Sequence, residues 1–302
     1  MSFFVLEPFD KKQWKGNTGG TPWMQRALVV WFHYSPLFIP YFFMALIIPF
    51  YMIFNHKGYL SMYHYFSKRH GYSKLKSFIY VYINHFKFGQ IIIDRFAMYA
   101  GKHFKFEIEG QELFDELDNS KDGFIQISSH VGNYELAGYS LKPKLKSFNV
   151  LIFGHETEQV MKGRRSMFEG KRIRMIPVAE DLSHIFLINS SLEDGNIVSI
   201  PGDRVYGSHK SLKCNFMGSE AFFPYGPFFI AAKRNVKMLA VFVMKKSSKT
   251  YCILIKRIQA EGSDNYKSYA NKLAQSFASE LEKVLRQYPT QWFNYYEFWK
   301  DE

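Results

Sequence analysis

Cysteine is almost absent from this chain of 302 residues: Cys214 and Cys252 are its only two. Neither sits at metal-ligand spacing, which argues against a disulfide framework or a zinc site. No metal or cofactor is expected, and both thiols read as packing residues of a reducing compartment. No G-x-S-x-G elbow is present, which removes that route to a serine nucleophile. No internal repeat and no low-complexity segment interrupts the chain. Acidic residues are also scarce, 27 against 39 lysines and arginines, leaving a net charge of +12. That excess carries no helix-turn-helix, zinc-finger or RNA-binding signature, so nucleic acid is not the expected partner.

The most informative absence is local. Ala27 to Phe54 contains no Asp, Glu, Lys or Arg, and His33 is its only titratable side chain besides the tyrosines. As one helix this stretch would run about 42 Å, longer than the roughly 30 Å hydrocarbon core of a bilayer. Pro36, Pro40 and Pro49 are expected to interrupt or kink it. Basic residues flank both ends, Lys11, Lys12, Lys15 and Arg26 before and Lys57, Lys68, Arg69, Lys74 and Lys76 after. A single span would leave one basic flank on the wrong side, whereas a kinked segment that enters and leaves on the cytoplasmic side satisfies both. The segment is too long and too late for a secretory signal and lacks a small-residue cleavage pattern. The alternative is a buried pair of core helices. Membrane anchoring is the reading favoured here.

What is present is an alternation of strand and helix patterns. Phe104–Glu109 alternates as a half-exposed strand, and 112–118 reads as a short helix. Phe124–Ser128, Asn149–Phe153, Ile173–Val178, Ile197–Ile200, Leu239–Met244 and Tyr251–Arg257 are strand-like runs. Leu182–Leu192, Phe228–Lys233 and the amphipathic Tyr266–Tyr288 supply helices between and after them. This predicts an α/β fold, a mixed and mostly parallel sheet flanked by helices. It follows a polar lead (1–26) and a hydrophobic, aromatic helical region (27–100), and itself occupies 101–302.

Two features point to chemistry. Residues 142–174 carry nine Lys/Arg against three Glu, a net of +6 and half the excess. Arg164 and Arg165 lie within this run. A solvated surface is the plain reading; an anionic membrane, an acidic carrier protein or a phosphorylated lipid is the functional one. The second feature is Ser129-His130-Val131-Gly132-Asn133-Tyr134-Glu135, which leaves the strand 124–128. On a continuous helix His130 and Glu135 would point about 140° apart. With His130 on the turn and Glu135 in the first helical turn they converge, and a carboxylate on one ring nitrogen leaves the other as a base. A loop histidine near an unrelated glutamate is the alternative.

Resemblance sharpens this. The string Ser128-Ser129-His130-Val131-Gly132-Asn133-Tyr134-Glu135-Leu136-Ala137-Gly138 resembles the H-x4-D/E motif of the lysophospholipid acyltransferase superfamily. It is most similar to the lipid A secondary (lauroyl/myristoyl) acyltransferase branch, with Tyr134 where that branch has Trp. Asn196 to Arg204 resembles the family's second block. Phe216-Met217-Gly218 with Ala221 to Pro227 resembles the third, and Pro289-Thr290-Gln291-Trp292 its closing motif. The second block more often has a further Asp where this chain has Val205, a departure that bears on the acceptor. The lead Trp14-Lys15-Gly16-Asn17-Thr18-Gly19-Gly20 resembles a bacterial branch, some of whose members accompany aryl-polyene pigment genes.

The resemblance implies a glycerolipid-acyltransferase-like fold and an enzyme of the inner membrane with its catalytic domain facing the cytoplasm. It would move a fatty acyl group from an acyl carrier protein or coenzyme A thioester to a hydroxyl or amine of a lipid A-like acceptor. His130 would be the base and Glu135 its support, with no covalent acyl-enzyme. Arg204, beside Asp203, would grip phosphate or carboxylate on a substrate, or else form a structural ion pair with that Asp. Arg164 and Arg165 would meet phosphate at the mouth. Asn133 and Gly226 complete the expected substrate site, and backbone amides near Gly132 or Gly226 are candidate oxyanion donors. An amino-acid lipid or pigment intermediate as acceptor, and a non-catalytic lipid-binding protein of the same fold, are the alternatives.

Overall fold

The computed structural model describes residues 22–136, 140–153, 172–178, 183–205, 210–262 and 265–299. Four helices come first: α1 (Pro22–Tyr34), α2 (Phe38–Phe54), α3 (His56–His64) and the long α4 (Lys74–Tyr99). A π-helical turn, Tyr65–Arg69, follows α3. Of the three prolines, only the Pro36 region ends a helix. Pro40 sits in the first turn of α2 and Pro49 inside it. Pro49 has no N–H for the Ala45 carbonyl four residues back; the Tyr82 hydroxyl of α4 donates to that carbonyl instead, at 3.0 Å. The helix survives because a neighbour replaces the missing donor.

The sheet has seven strands: β1 (Lys105–Glu109), β2 (Phe124–Ser128), β3 (Phe148–Phe153), β4 (Ile173–Val178), β5 (Ile197–Pro201), β8 (Met238–Lys245) and β9 (Thr250–Ile258). Their order is β1-β9-β8-β2-β5-β3-β4, and every pairing is parallel except β8 with β9. The expected α/β class with a mostly parallel, helix-flanked sheet is therefore what is observed. A separate antiparallel hairpin, β6 (Ser211–Phe216) with β7 (Ser219–Pro224), was not expected. Its alternation buries Leu212, Cys214 and Phe216.

Side-chain period two splits the core between the faces of the sheet. Ile125, Ile127, Val198, Ile200 and Phe242 pack with Phe277 and Leu281 of α8 (Tyr266–Gln287), Phe228 of α7 (Tyr225–Arg234) and the hairpin. Phe124, Phe148, Ile197, Leu239, Val241 and Tyr251 pack on the other face with Phe114 and Leu117 of α5 (Gln111–Asp118). Helix α6 (Ser183–Glu193) sends Ile188 and Leu192 into the first of these clusters. The same cluster takes in Ile48 and Met52 of α2.

Helix α2 is tied in by a buried polar cluster. Asp94 of α4 accepts from Tyr41 of α2, from Tyr251 of β9 and from Lys245 at the end of β8. All four residues are at most 7 % exposed. Its opposite face is bare: Phe38, Phe42, Phe43, Leu46, Ile47, Phe50, Ile53 and Phe54 are all more than half exposed. Among the described residues no single helix is long and apolar enough to cross a membrane. Phe38–Phe54 and His56–Arg69 together have the length and composition, but they are bent by 95°.

Candidate active site

Strands β2 and β5 are parallel neighbours with Ser128 opposite Pro201. The next residues therefore leave the sheet side by side at its carboxyl edge, where open α/β sheets build their sites. Gly202 donates its N–H to the Ser128 carbonyl at 2.8 Å, extending the register by one more residue. A Cβ on Gly202 would stand 2.3 Å from Ile127 Cδ1, so a larger residue there would force the buried Ile127 side chain to shift. Two residues beyond the last pair, His130 meets Asp203.

The contact is double. His130 Nδ1 lies 2.7 Å from Asp203 Oδ1, and the His130 backbone N–H donates to Oδ2 at 2.8 Å. The Trp292 indole N–H also donates to Oδ2, at 3.3 Å. Asp203 is fully buried, while the His130 side chain retains 17 % exposure. Burial alone would raise the Asp203 carboxyl, but the charge and hydrogen bonds of His130, with Arg204 beside them, hold it below the ordinary range. Burial and the Arg204 charge push His130 below its usual 6.5, against the opposing pull of Asp203. With an ionised carboxylate on Nδ1, that nitrogen carries the proton and Nε2 is the basic one. The Tyr134 ring stands edge-on to the imidazole, with centroids 5.4 Å apart.

The acid that holds the ring is thus Asp203, not Glu135 as the spacing suggested. Glu135 does sit in a helical turn (Tyr134–Leu136), but its Oε1 pairs with Arg95 Nη1 of α4 at 3.0 Å. The chain after His130 is fixed by the C-terminal segment. Phe293 N–H donates to the His130 carbonyl at 2.9 Å and Gly132 N–H to the Gln291 carbonyl at 2.7 Å. Asn84 of α4 donates to the Thr290 and Trp292 carbonyls, locking that segment from behind. Gly132 is required here: its φ is +58°, and a Cβ would lie 1.9 Å from the Val243 carbonyl oxygen. Because its amide is already spent, Gly132 is corrected as an oxyanion donor.

The other expected residues divide. Asn133 is buried, its N–H on the Val243 carbonyl at 2.8 Å, and its side-chain Nδ2 has no hydrogen-bond partner among the described residues. Arg204 Nη2 donates to the Phe293 carbonyl at 2.7 Å, and the guanidinium lies 5.7 Å from the Tyr296 ring centroid. Its buried Nε has no hydrogen-bond partner among the described residues. Gly226 heads α7, with open space where a Cβ would be. Arg164 and Arg165 lie outside the described residues.

Lys162 and Lys171 of the basic run also lie outside the described residues, and its described members stand away from the site. Lys142 to Lys146 precede β3 and Arg172 precedes β4, so they lie at the amino edge of the parallel strands, opposite His130. Lys146 is buried and structural: its ammonium donates to the carbonyls of Ser120, Asp122 and Gly195 at 2.7–3.0 Å.

The profile of the bacterial lipid A biosynthesis acyltransferases matches residues 87–301. The chain belongs to this family. As a lipid A biosynthesis acyltransferase family member it is an acyltransferase, and the site above lies within the matched region. No curated protein matches the chain. Among solved structures, the 1-acyl-sn-glycerophosphate (LPA) acyltransferase of Thermotoga maritima is similar over 85 % of this chain and 98 % of its own, at 13 % identity and a TM-score of 0.35.

Proposed function

We propose that this acyltransferase moves a fatty acyl group from an acyl carrier protein or coenzyme A thioester to a hydroxyl or amine of a lipid A-like acceptor, with His130 as general base. The observation that carries this reading is the His130–Asp203 contact at the carboxyl edge of the sheet, which leaves Nε2 as the basic nitrogen. Nε2 takes the acceptor proton as that oxygen or nitrogen attacks the thioester carbonyl. The tetrahedral intermediate collapses, the carbon–sulfur bond breaks, and the thiolate recovers the proton from the imidazolium. Asp203 holds the ring and balances its transient charge. Glu135, through Arg95, pins the turn after the base to α4. Arg204, beside Asp203, offers an anionic group of the acceptor the guanidinium positions that the Phe293 carbonyl does not take.

The same reading places the protein on the cytoplasmic face of the inner membrane. The bare apolar face of α2 and the basic residues on both sides of it support an in-plane or re-entrant attachment. Purified His130→Ala should lose about 10²–10⁴ in turnover while keeping its fold. Lipid extracts from cells with and without the protein should differ by one acyl chain on one lipid class. Near-normal turnover of the mutant would remove His130 from the mechanism.

A further inference from the structure

Trp292 is 1 % exposed and sits in a cage of aromatic rings. Tyr65, Phe216, Phe298 and Trp299 surround it with centroids 5.1–5.9 Å away, each steeply inclined to the indole plane. Edge-to-face neighbours on several sides fix the plane of the ring they enclose. The backbone is fixed too: the Trp292 carbonyl accepts from Asn84 Nδ2 at 2.8 Å, and the residue pairs with Val131 in an isolated β-bridge. Such a cage asks only for an apolar ring. What the indole adds is a single N–H, and it is aimed at Asp203 Oδ2, 3.3 Å away.

Among the described residues Asp203 accepts two hydrogen bonds from His130 and one from Trp292. The indole is therefore its only donor outside the histidine. Arg204, whose charge also favours the ionised carboxylate, gives its hydrogen bond to the Phe293 carbonyl. Asp203 is fully buried, and a buried carboxylate stays ionised only while donors and charges offset its lost hydration. Its protonation state decides whether a base exists. Ionised, Asp203 accepts from Nδ1–H and leaves Nε2 to take a proton. Protonated, it donates to Nδ1, the ring proton sits on Nε2, and the acceptor meets no base. The His130 N–H and the indole N–H also converge on Oδ2, which sets the rotation of the carboxylate and turns Oδ1 toward Nδ1.

Resting on the acyl-transfer reading, we infer that Trp292 is a positioning residue of the reaction: its caged indole N–H keeps Asp203 ionised and oriented, so that His130 presents a basic Nε2. Arg204, Tyr296 and Tyr134 are the other charged or titratable groups facing the pair, and none of them changes in the test. Benzothienylalanine placed at position 292 has sulfur where the indole has N–H, so it removes the donor and keeps the cage filled. Nuclear magnetic resonance of histidine labelled at both ring nitrogens follows His130 without acyl donor or acceptor. A carboxylate short of one donor holds the imidazolium more tightly, so His130 should titrate about 0.5–1 pH unit higher. Fluorotryptophan at the same position, a stronger donor of the same shape, should move it lower. Loosened packing would not order the two analogues on opposite sides of the wild type. Cells carrying Trp292→Phe at equal protein level should incorporate labelled acetate into the acylated lipid about tenfold more slowly, the scale of one charge-assisted hydrogen bond. Unchanged midpoints in both analogues, or full-rate incorporation in Trp292→Phe, overturn the role of Trp292 while His130→Ala stays inactive. An active His130→Ala overturns the acyl-transfer reading itself.

Discussion

Asp203 and His130 are 73 residues apart in sequence, yet one carboxylate takes both the ring Nδ1 and the backbone N–H of the histidine. The ring is held in position and tautomer by the same group. Asp203→Asn should therefore cost turnover about 10²–10⁴, because an amide no longer fixes the tautomer or balances the imidazolium. Glu135→Ala, which breaks a partly exposed pair with Arg95, should cost less than about tenfold. Steady-state rates of the two purified variants rank the acids, and the reverse order would restore Glu135 as the partner of the base.

The pH profile follows from the direction of the His130 shift. Burial and Arg204 lower its value, so more of the base is neutral at pH 7 than in an ordinary histidine, and it is lost as pH falls through a value below the ordinary one. The acid limb of kcat/KM, which reports the free enzyme, should accordingly lie below the ordinary histidine value. Asp203 pulls the other way, so the residual activity of Asp203→Asn should have its acid limb at still lower pH.

Membrane attachment is testable on the bare face of α2 without removing the helix. Deleting the first two helices would strip Tyr41 from Asp94 and Lys245 and confound attachment with folding. Phe42→Glu with Phe50→Glu changes two exposed side chains on that face instead. If each ring contributes about 1.5–3 kcal/mol on entering the bilayer, vesicle binding in flotation assays should fall by about 10²-fold or more, with the circular dichroism spectrum unchanged. Equal flotation of variant and wild type would return α2 to a purely intramolecular role.

The Asp94 cluster sets the stability of the helical layer. Asp94→Ala leaves the Lys245 ammonium buried without its counter-charge, a loss of about 3–5 kcal/mol. Tyr41→Phe removes one neutral donor and should cost nearer 1 kcal/mol. Urea midpoints of the two variants, with the slope unchanged, measure the difference.

Local pattern gave most of the elements and little of the site. Ile173–Val178 is the strand its run of residues suggested, and Tyr266 to Gln287 the helix its apolar stripe suggested. In the hairpin 211–224 the alternation of Leu212, Cys214 and Phe216 marks a strand, and the turn falls within the same Phe216-Met217-Gly218 that carries the family resemblance. His130 stood out from its place at a strand exit. Its acid did not, because the nearest carboxylate in sequence competes with one delivered by strand pairing, and the β2–β5 register is a non-local fact. The basic run misled for a related reason. Lys146 counts as surface charge in a composition, but its ammonium is sealed by three carbonyls.

The C-terminal stitch has a consequence for biosynthesis. Trp292 comes 89 residues after Asp203, and Gln291 and Phe293 frame the backbone on either side of Val131, the residue after His130. A nascent chain that has cleared the ribosome only as far as α8 already holds both His130 and Asp203. Its carboxylate lacks the indole donor, and the turn after the base lacks its pairing strand. The base and its acid are thus both encoded well before the segment that completes their setting.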